Sequence, residues 1–251
     1  MTISHNLQVR SLQIFNHFAG LFGLWYVWNY DAVSLLFLSV IIYWVTGILG
    51  INIGFHRLIS HRSFATSNVI EKVLSVIGVL TTVGSPLAWA AIHRQHHRHT
   101  DKKGDPHSPQ ELGNFKAWFG LWNSIKLDLK LIRDLRSQPF YRKLHKYYFY
   151  IIVLYCGLLS LIDPIYVIFV YCIPACLCLH STSAIIVIAH NHGYRPYPDV
   201  KDQSRNSWIA NLITLGEGWH NTHHAKPYAW NNQERWWEFD IPAYIIRFIK
   251  K

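Results

Sequence analysis

The chain has 251 residues, 51% of them apolar and 15% aromatic, with 24 Lys and Arg against 14 Asp and Glu, and 16 His. That length suits one domain, and the apolar and aromatic share sets the chain apart from an average soluble enzyme. The basic excess is spaced in a way that orients a chain in a membrane, which argues against nucleic acid as its partner.

From Ser11 to Phe55 there is no Lys or Arg and only one acidic residue, Asp31. Because roughly 20 apolar residues cross the hydrocarbon core, this stretch predicts two spans, near 11 to 29 and 33 to 54. They form a first hairpin over 11–54. No small-residue cleavage site follows the first span, so it is expected to be retained and not removed as a signal peptide.

The next segment, 55–146, carries His56 and His61 where the second span ends. Five residues apart, they would sit about 140° apart on an α-helix, so a bend or a shared metal is needed to bring them together. Val73 to Val83 is too short to cross, is preceded by Glu71 and Lys72 and ends in Gly84-Ser85-Pro86. It predicts an interfacial or re-entrant helix. His93, His96 and His97 then share one helical face through spacings of three and four, and three imidazoles on one face suit iron, zinc or copper. His99, Asp101, Asp105 and His107 follow closely. Residues 116–146 alternate basic and apolar positions, as on a helix lying on an anionic leaflet or with one solvated face.

Two further spans, near 147 to 162 and 165 to 189, predict a second hairpin over 147–189 with Asp163 as its sole charge. All four cysteines fall there, where a thiol behaves as a small buried hydrophobe; neither a disulfide framework nor a cysteine metal site is suggested. The last segment, 190–251, opens on His190 and repeats the three-histidine spacing at His220, His223 and His224, behind Gly216-Glu217-Gly218. Its Trp236-Trp237-Glu238-Phe239 stretch is expected to anchor the tail at the membrane interface.

All the basic residues then lie on one side: Arg10, fifteen between Arg57 and Lys146, and eight from Arg195 to Lys251. This positive-inside asymmetry places both termini and the histidine-rich segments in the cytoplasm. The expected architecture is an all-α integral membrane protein, one domain over 1–251, with four transmembrane helices and a cytoplasmic helical cap. His56, His61, His93, His96, His97, His190, His220, His223 and His224 are more ligands than one metal uses, whereas two metals with four or five nitrogens each would use them. Asp101, Asp105 and Glu217 are placed to accept imidazole N–H groups. His5, His17, His145 and His180 lack a partner cluster and are expected to be hydrogen-bonded bystanders. A metal transporter is disfavoured, since its ligands line a pathway near the bilayer midplane.

The segments HRLISH (56–61), HRQHH (93–97), DPH (105–107), HNHGYRPY (190–197) and GEGWHNTHH (216–224) together resemble the acyl desaturases of the stearoyl-coenzyme A desaturase type, over roughly residues 33–240. The resemblance implies four transmembrane helices under a cytoplasmic cap, with a di-iron centre at the end of a kinked acyl tunnel. It implies one iron on His56, His61, His93, His97 and His223, and another on His96, His190, His220 and His224. The implied reaction inserts a cis double bond, of the delta-9 type in that family's terms, into a saturated acyl chain, with O2 and two electrons from an external ferredoxin or cytochrome b5. The membrane lipid is both solvent and neighbour.

Departures from the family pattern bear on the substrate. Where the family has an Asn that holds an iron-bound water, this chain has Ile186, so Asn191 or His192 is the candidate substitute. Where the coenzyme A enzymes have an Arg-Asp pair contacting the carrier, Ala91 and Ile92 stand, which leaves acyl-coenzyme A, acyl-carrier-protein and lipid-linked chains open. Trp44 and Ile48 fall where the tunnel would close, either limiting chain length or packing between helices. A related di-iron hydroxylase or acetylenase is the nearest alternative.

Overall fold

The computed structural model describes residues 3–120 and 126–251. Helix α1 (Ile3–Tyr30) is followed by α2 (Val33–Thr46), which continues without a break into a π-helical stretch, Gly47–Ser60. Then come α3 (Asn68–Leu80), α4 (Pro86–His99) and the short α5 (Pro109–Leu112) and α6 (Asn114–Trp118). A 3-10 turn (Leu129–Ile132) leads into α7 (Arg133–Arg136), α8 (Pro139–Lys146) and α9 (Tyr148–Ile162). A π turn (Val167–Cys172) runs into α10 (Ile173–Asn191), and α11 (Trp208–Thr214), α12 (His220–Ala225) and α13 (Ile241–Ile249) complete the chain. Among the described residues the only extended pairing is two isolated bridges, Tyr194 to Asn206 and Asn206 to Trp219.

Among the described residues, two continuous helices are long and apolar enough to cross a membrane: Val33–Ser60, of 28 residues, and Val167–Asn191, of 25. The pair α8 and α9, bent by 66°, makes a third if it is one span. Helix α1 is also 28 residues long, but Arg10, Gln13, Asn16 and His17 interrupt its apolar run. Its large apolar side chains nevertheless point outward, among them Phe15, Phe18, Leu21 and Trp28, as do Leu154, Leu158 and Leu161 on α9.

The π stretch resolves the awkward spacing of the first histidine pair. In a helix bonded i to i+5, residues five apart stand about one turn apart, and the His61 N–H donates to the His56 carbonyl at 3.0 Å. The two rings lie 4.9 Å apart. Helix α3 packs closely along this stretch: a Cβ on Gly50 would meet the Gly78 backbone at 2.7 Å, so the contact admits no side chain. Phe55 and Ile59 from the same stretch enter the main core beside Val79, Leu87, Tyr148 and Tyr171.

The 116–146 segment is not one helix. It breaks into α6, the 3-10 turn, α7 and α8, because Asp128 caps the Lys130 N–H at 2.9 Å and Pro139 opens a new helix at its first position. The 73–83 run is the second half of α3 and its exit, started by the Ser67 cap on Ile70 N–H. Of the 236–239 segment only Trp236 is strongly exposed, at 91%. Trp237 stacks on Trp208, Glu238 is buried, and the Phe239 carbonyl accepts from Trp219 Nε1 at 2.7 Å; three of the four residues brace the chain before α12.

His5, His17, His145 and His180 form two pairs. His17 and His180 meet Nε2 to Nε2 at 3.0 Å, with Trp118 Nε1 donating to His180 Nδ1. His5 and His145 rings lie 4.5 Å apart, and His145 Nδ1 is 2.6 Å from Ser85 Oγ. They tie α1 to α10 and to α8.

Candidate metal centre

Each histidine reaches the site on an element that other contacts hold in place. Helix α4 starts at Ser85, whose hydroxyl accepts from Ala88 N–H, with Pro86 at its first turn. At its far end the Arg94 guanidinium caps the π stretch, donating to the carbonyls of Ser60 and Ile59 at 2.8 Å each, while Asp134 pairs with it at 2.7 Å. Helix α12 has only six residues and is started from outside: Asn206 Oδ1 accepts from Asn221 N–H at 3.0 Å and Thr222 N–H at 3.1 Å. Gly218 lets the chain before α12 pass close against the start of α11, since a Cβ there would lie 2.3 Å from Asn211 N.

Nine histidines converge in two groups. Ring nitrogens of His56, His61, His93, His97 and His223 all lie within 4.8 Å of one another, as do those of His96, His190, His220 and His224. Within the first group Nε2 to Nε2 distances are 3.1 Å for His56 and His223, 2.6 Å for His61 and His93, and 3.0 Å for His223 and His97. Within the second, His220 Nε2 is 3.1 Å from both His190 Nε2 and His224 Nε2. A third grouping, His96, Asp105 and His107, shares His96 with the second.

Carboxylates decide which nitrogen carries the proton. A carboxylate only accepts, so Nδ1–H of His56 donates to Glu217 (2.7 Å), of His96 to Asp105 (2.9 Å), of His190 to Asp101 (3.0 Å) and of His224 to Asp202 (2.8 Å). In a neutral ring that leaves a lone pair on Nε2, aimed at the other rings. Burial, and behind it the neighbouring imidazoles, push His61, His93, His97, His220, His223 and His224 well below the ordinary histidine range, so these rings are neutral. His220 can offer one N–H at most between the lone pairs of His190 and His224. Lone pairs thus converge with too few protons to bridge them, which is the donor set of a cation site; imidazole suits iron, zinc or copper.

The acceptors are themselves held. Burial alone would raise Glu217, yet the Arg57 guanidinium and His56 keep it down at about 2. Arg57, 1% exposed, donates to Glu217 at 2.9 Å, to Asp240 at 2.9 Å and to the Trp230 carbonyl at 2.8 Å. Asp101 and Asp105 are likewise held below the carboxylate range, against burial, chiefly by His190 and His96 respectively.

Both groups face one cavity of about 530 Å³, whose wall includes His56, His93, His96, His190 and His220. Ile186 and Ile92 line it, while Ala91 is buried in the core. Trp44 and Ile48 are absent from its wall: Trp44 is 41% exposed on the outer surface and Ile48 packs with Ile53, Leu58 and Ile246. The π turns redirect the cavity-facing stripe of this helix to Asn52 and Ile51. Asn191 donates to the Val187 carbonyl and Asn114, and His192 is exposed, so neither faces the histidines. His107 does line the cavity, its ring 4.3 Å from that of His96.

Sequence reasoning missed Asp202, Arg57 and Trp89. Trp89 stacks on His93 at 4.7 Å, a contact that its i, i+4 spacing could have suggested. Asp202 lies in a polar loop 22 residues before its partner His224, with no local pattern to mark it.

This is an all-helical protein built around paired imidazole groups on the wall of one cavity. The fatty acid desaturase family model matches residues 32–245, and the chain belongs to that family. It is an oxidoreductase of the fatty acyl desaturase class. It is 34% identical over 216 residues to the sn-1 stearoyl-lipid 9-desaturase of Anabaena variabilis, covering 84% of this chain and 79% of that one. With the sn-2 palmitoyl-lipid 9-desaturase of Nostoc sp. the identity is 33% over 253 residues, covering 93% and 83%. With the acyl-CoA C20 Delta5-desaturase of Anemone leveillei it is 33% over 215 residues, covering 83% and 69%.

Proposed function

We propose that this chain introduces a cis double bond of the delta-9 type into a saturated, lipid-linked acyl chain, using two iron ions, O2 and an external electron carrier. The observation that carries the reading is the pair of imidazole groups on the wall of one cavity of ligand size. His56, His61, His93, His97 and His223 would hold one iron, and His96, His190, His220 and His224 the other. When bound, the irons with O2 and two electrons supply the oxidising power to remove two hydrogens from adjacent methylenes, with two protons taken up and two waters formed. The chain's own part is positioning and exclusion of water. Asp101, Asp105, Asp202 and Glu217 hold the rings so that their free nitrogens face inward.

Lipid linkage is supported by the two 9-desaturase relatives and by Ala91 and Ile92, which cannot grip a charged carrier. The four-span topology, with both termini and the site in the cytoplasm, is supported by the one-sided basic residues and the outward apolar side chains of α1 and α9. The basic face suits an acidic ferredoxin or cytochrome b5.

Fatty-acid profiling of a desaturase-deficient host tests the reading. New cis-monoenes are expected with the native protein and none with His97→Ala, a loss of more than about a hundredfold, since a ligand costs more than an outer partner. Alcohols or alkynes in place of alkenes would make the chain a hydroxylase or an acetylenase.

A further inference from the structure

The cavity that the histidines face is also lined by Arg10, Lys126, Leu127 and Leu129. A second, more open groove is lined by the same Lys126, Leu127 and Leu129 together with Asp128, Lys130, Arg133 and Arg136. Three shared residues place the groove directly beside the cavity. Lys126, Lys130, Arg133 and Arg136 are all exposed, and among the described residues none has a carboxylate partner; Asp128, the one acid in the groove, pairs with Arg98 at 3.3 Å. Lys130, Arg133 and Arg136 recur every three residues through a 3-10 turn and α7, which sets them along one side.

The surroundings of this groove are apolar as well as basic. Leu129 is 38% exposed, and Phe115 on α6 and Phe119 just after it, next to the cavity-lining Gly120, are 69% and 49% exposed. Exposed aromatic and aliphatic side chains mixed with cations mark the headgroup level of a bilayer, where the apolar parts sink and the charges meet anionic lipid. A soluble carrier would gain nothing from the exposed phenylalanines.

We propose that this groove binds the phosphate of a glycerolipid headgroup while one acyl chain of the same lipid enters the cavity. The inference rests on the acyl-chain reading of the cavity and names the substrate class: a phosphate-bearing glycerolipid, preferred over an uncharged one. Lys126 stands at the junction, and Lys130, Arg133 and Arg136 face the phosphate as point charges and forks.

Equilibrium binding to the purified full chain, without turnover, tests it with distearoyl phosphatidylglycerol, a galactolipid carrying the same two chains, and stearoyl-coenzyme A. The phospholipid is expected to bind about tenfold or more tightly than the galactolipid, the sum of several modest charge contacts, with the margin shrinking as salt rises. Lys130→Gln/Arg133→Gln/Arg136→Gln should bring the two lipids to within about twofold of each other at an unchanged melting temperature; the milder Arg133→Gln should lose part of the margin. Equal binding of both lipids by the native protein overturns the proposal. So does tighter binding of stearoyl-coenzyme A, or a triple variant that keeps its lipid preference but is reduced more slowly by an acidic electron carrier. Binding requires no product, so a host that gains no monoenes speaks against the desaturase reading, and a native protein that binds both lipids equally speaks against the groove alone.

Discussion

The five-histidine group is assembled by helix geometry, whereas the four-histidine group is braced by carboxylates. In the first, π-helical turns bring His56 and His61 together and α4 presents His93 and His97; one ring of the five, His56, is tied to an acid, Glu217. In the second, three rings of four are oriented by aspartates from non-helical segments, Asp101, Asp105 and Asp202. A geometry fixed by backbone should fail when the helix or its buried charge network fails. One fixed by side-chain hydrogen bonds should fail ring by ring.

Acid offers the largest test of the contrast. The six rings named above as depressed by burial are neutral when folded and take up protons at an ordinary value of about 6.5 when unfolded. The unfolded state therefore binds more protons below that value, so stability is present above pH 6.5 and is lost as pH falls, by up to about 1.4 kcal/mol per pH unit for each ring. Denaturant unfolding of metal-free protein at pH 7 and pH 5 should show the loss. Four of the six belong to the five-histidine group, and an unchanged midpoint would mean that this group is not buried as a neutral cluster.

Arg57→Met comes next. It leaves Glu217 and Asp240 buried without their cation, a cost of about 3–5 kcal/mol, read as a drop in melting temperature. Because Glu217 holds His56, the five-histidine group should lose its metal first, and loss from the other group first would break the comparison.

Asp202→Asn acts on the other side. Replacing the charged acceptor for His224 by a neutral amide should weaken metal binding about 10–100-fold at the four-histidine group alone, leaving one firmly held ion per chain by metal analysis. The smallest effect concerns chain length. Ile51→Phe narrows the cavity and should shift the product profile toward shorter chains, by about 1–3 kcal/mol of discrimination per lost methylene; Trp44→Ala, on the outer surface, should leave the profile unchanged.

Much of the fold was legible because membranes impose strong local rules. Long runs without Lys or Arg predicted the helices at 33–54 and 165–189, and both are present, extended at one or both ends. The stretch expected as the first span lies within the N-terminal helix, which starts earlier, at Ile3. The amphipathic reading of 116–146 predicted a single helix because alternation of charge says nothing about where Asp128 or Pro139 will start a new turn. Three of the four acidic partners of the rings stood close in sequence to a motif: Asp101 and Asp105 behind His97, and Glu217 before His220.

The sequence by itself determined the nine imidazoles, their spacing on α4 and α12, the long runs without Lys or Arg and the glycines at tight corners. These are local properties: spacing sets which side chains share a helical face, and composition sets which segments avoid water. The tertiary structure alone decided that 47–60 would wind as a π-helix, that Asp202 would cross to His224, that Ile51 and Asn52 rather than Trp44 and Ile48 would line the cavity, and that a basic groove would join it at Lys126. Each depends on packing between segments far apart in the chain, whose energies no short window of sequence contains.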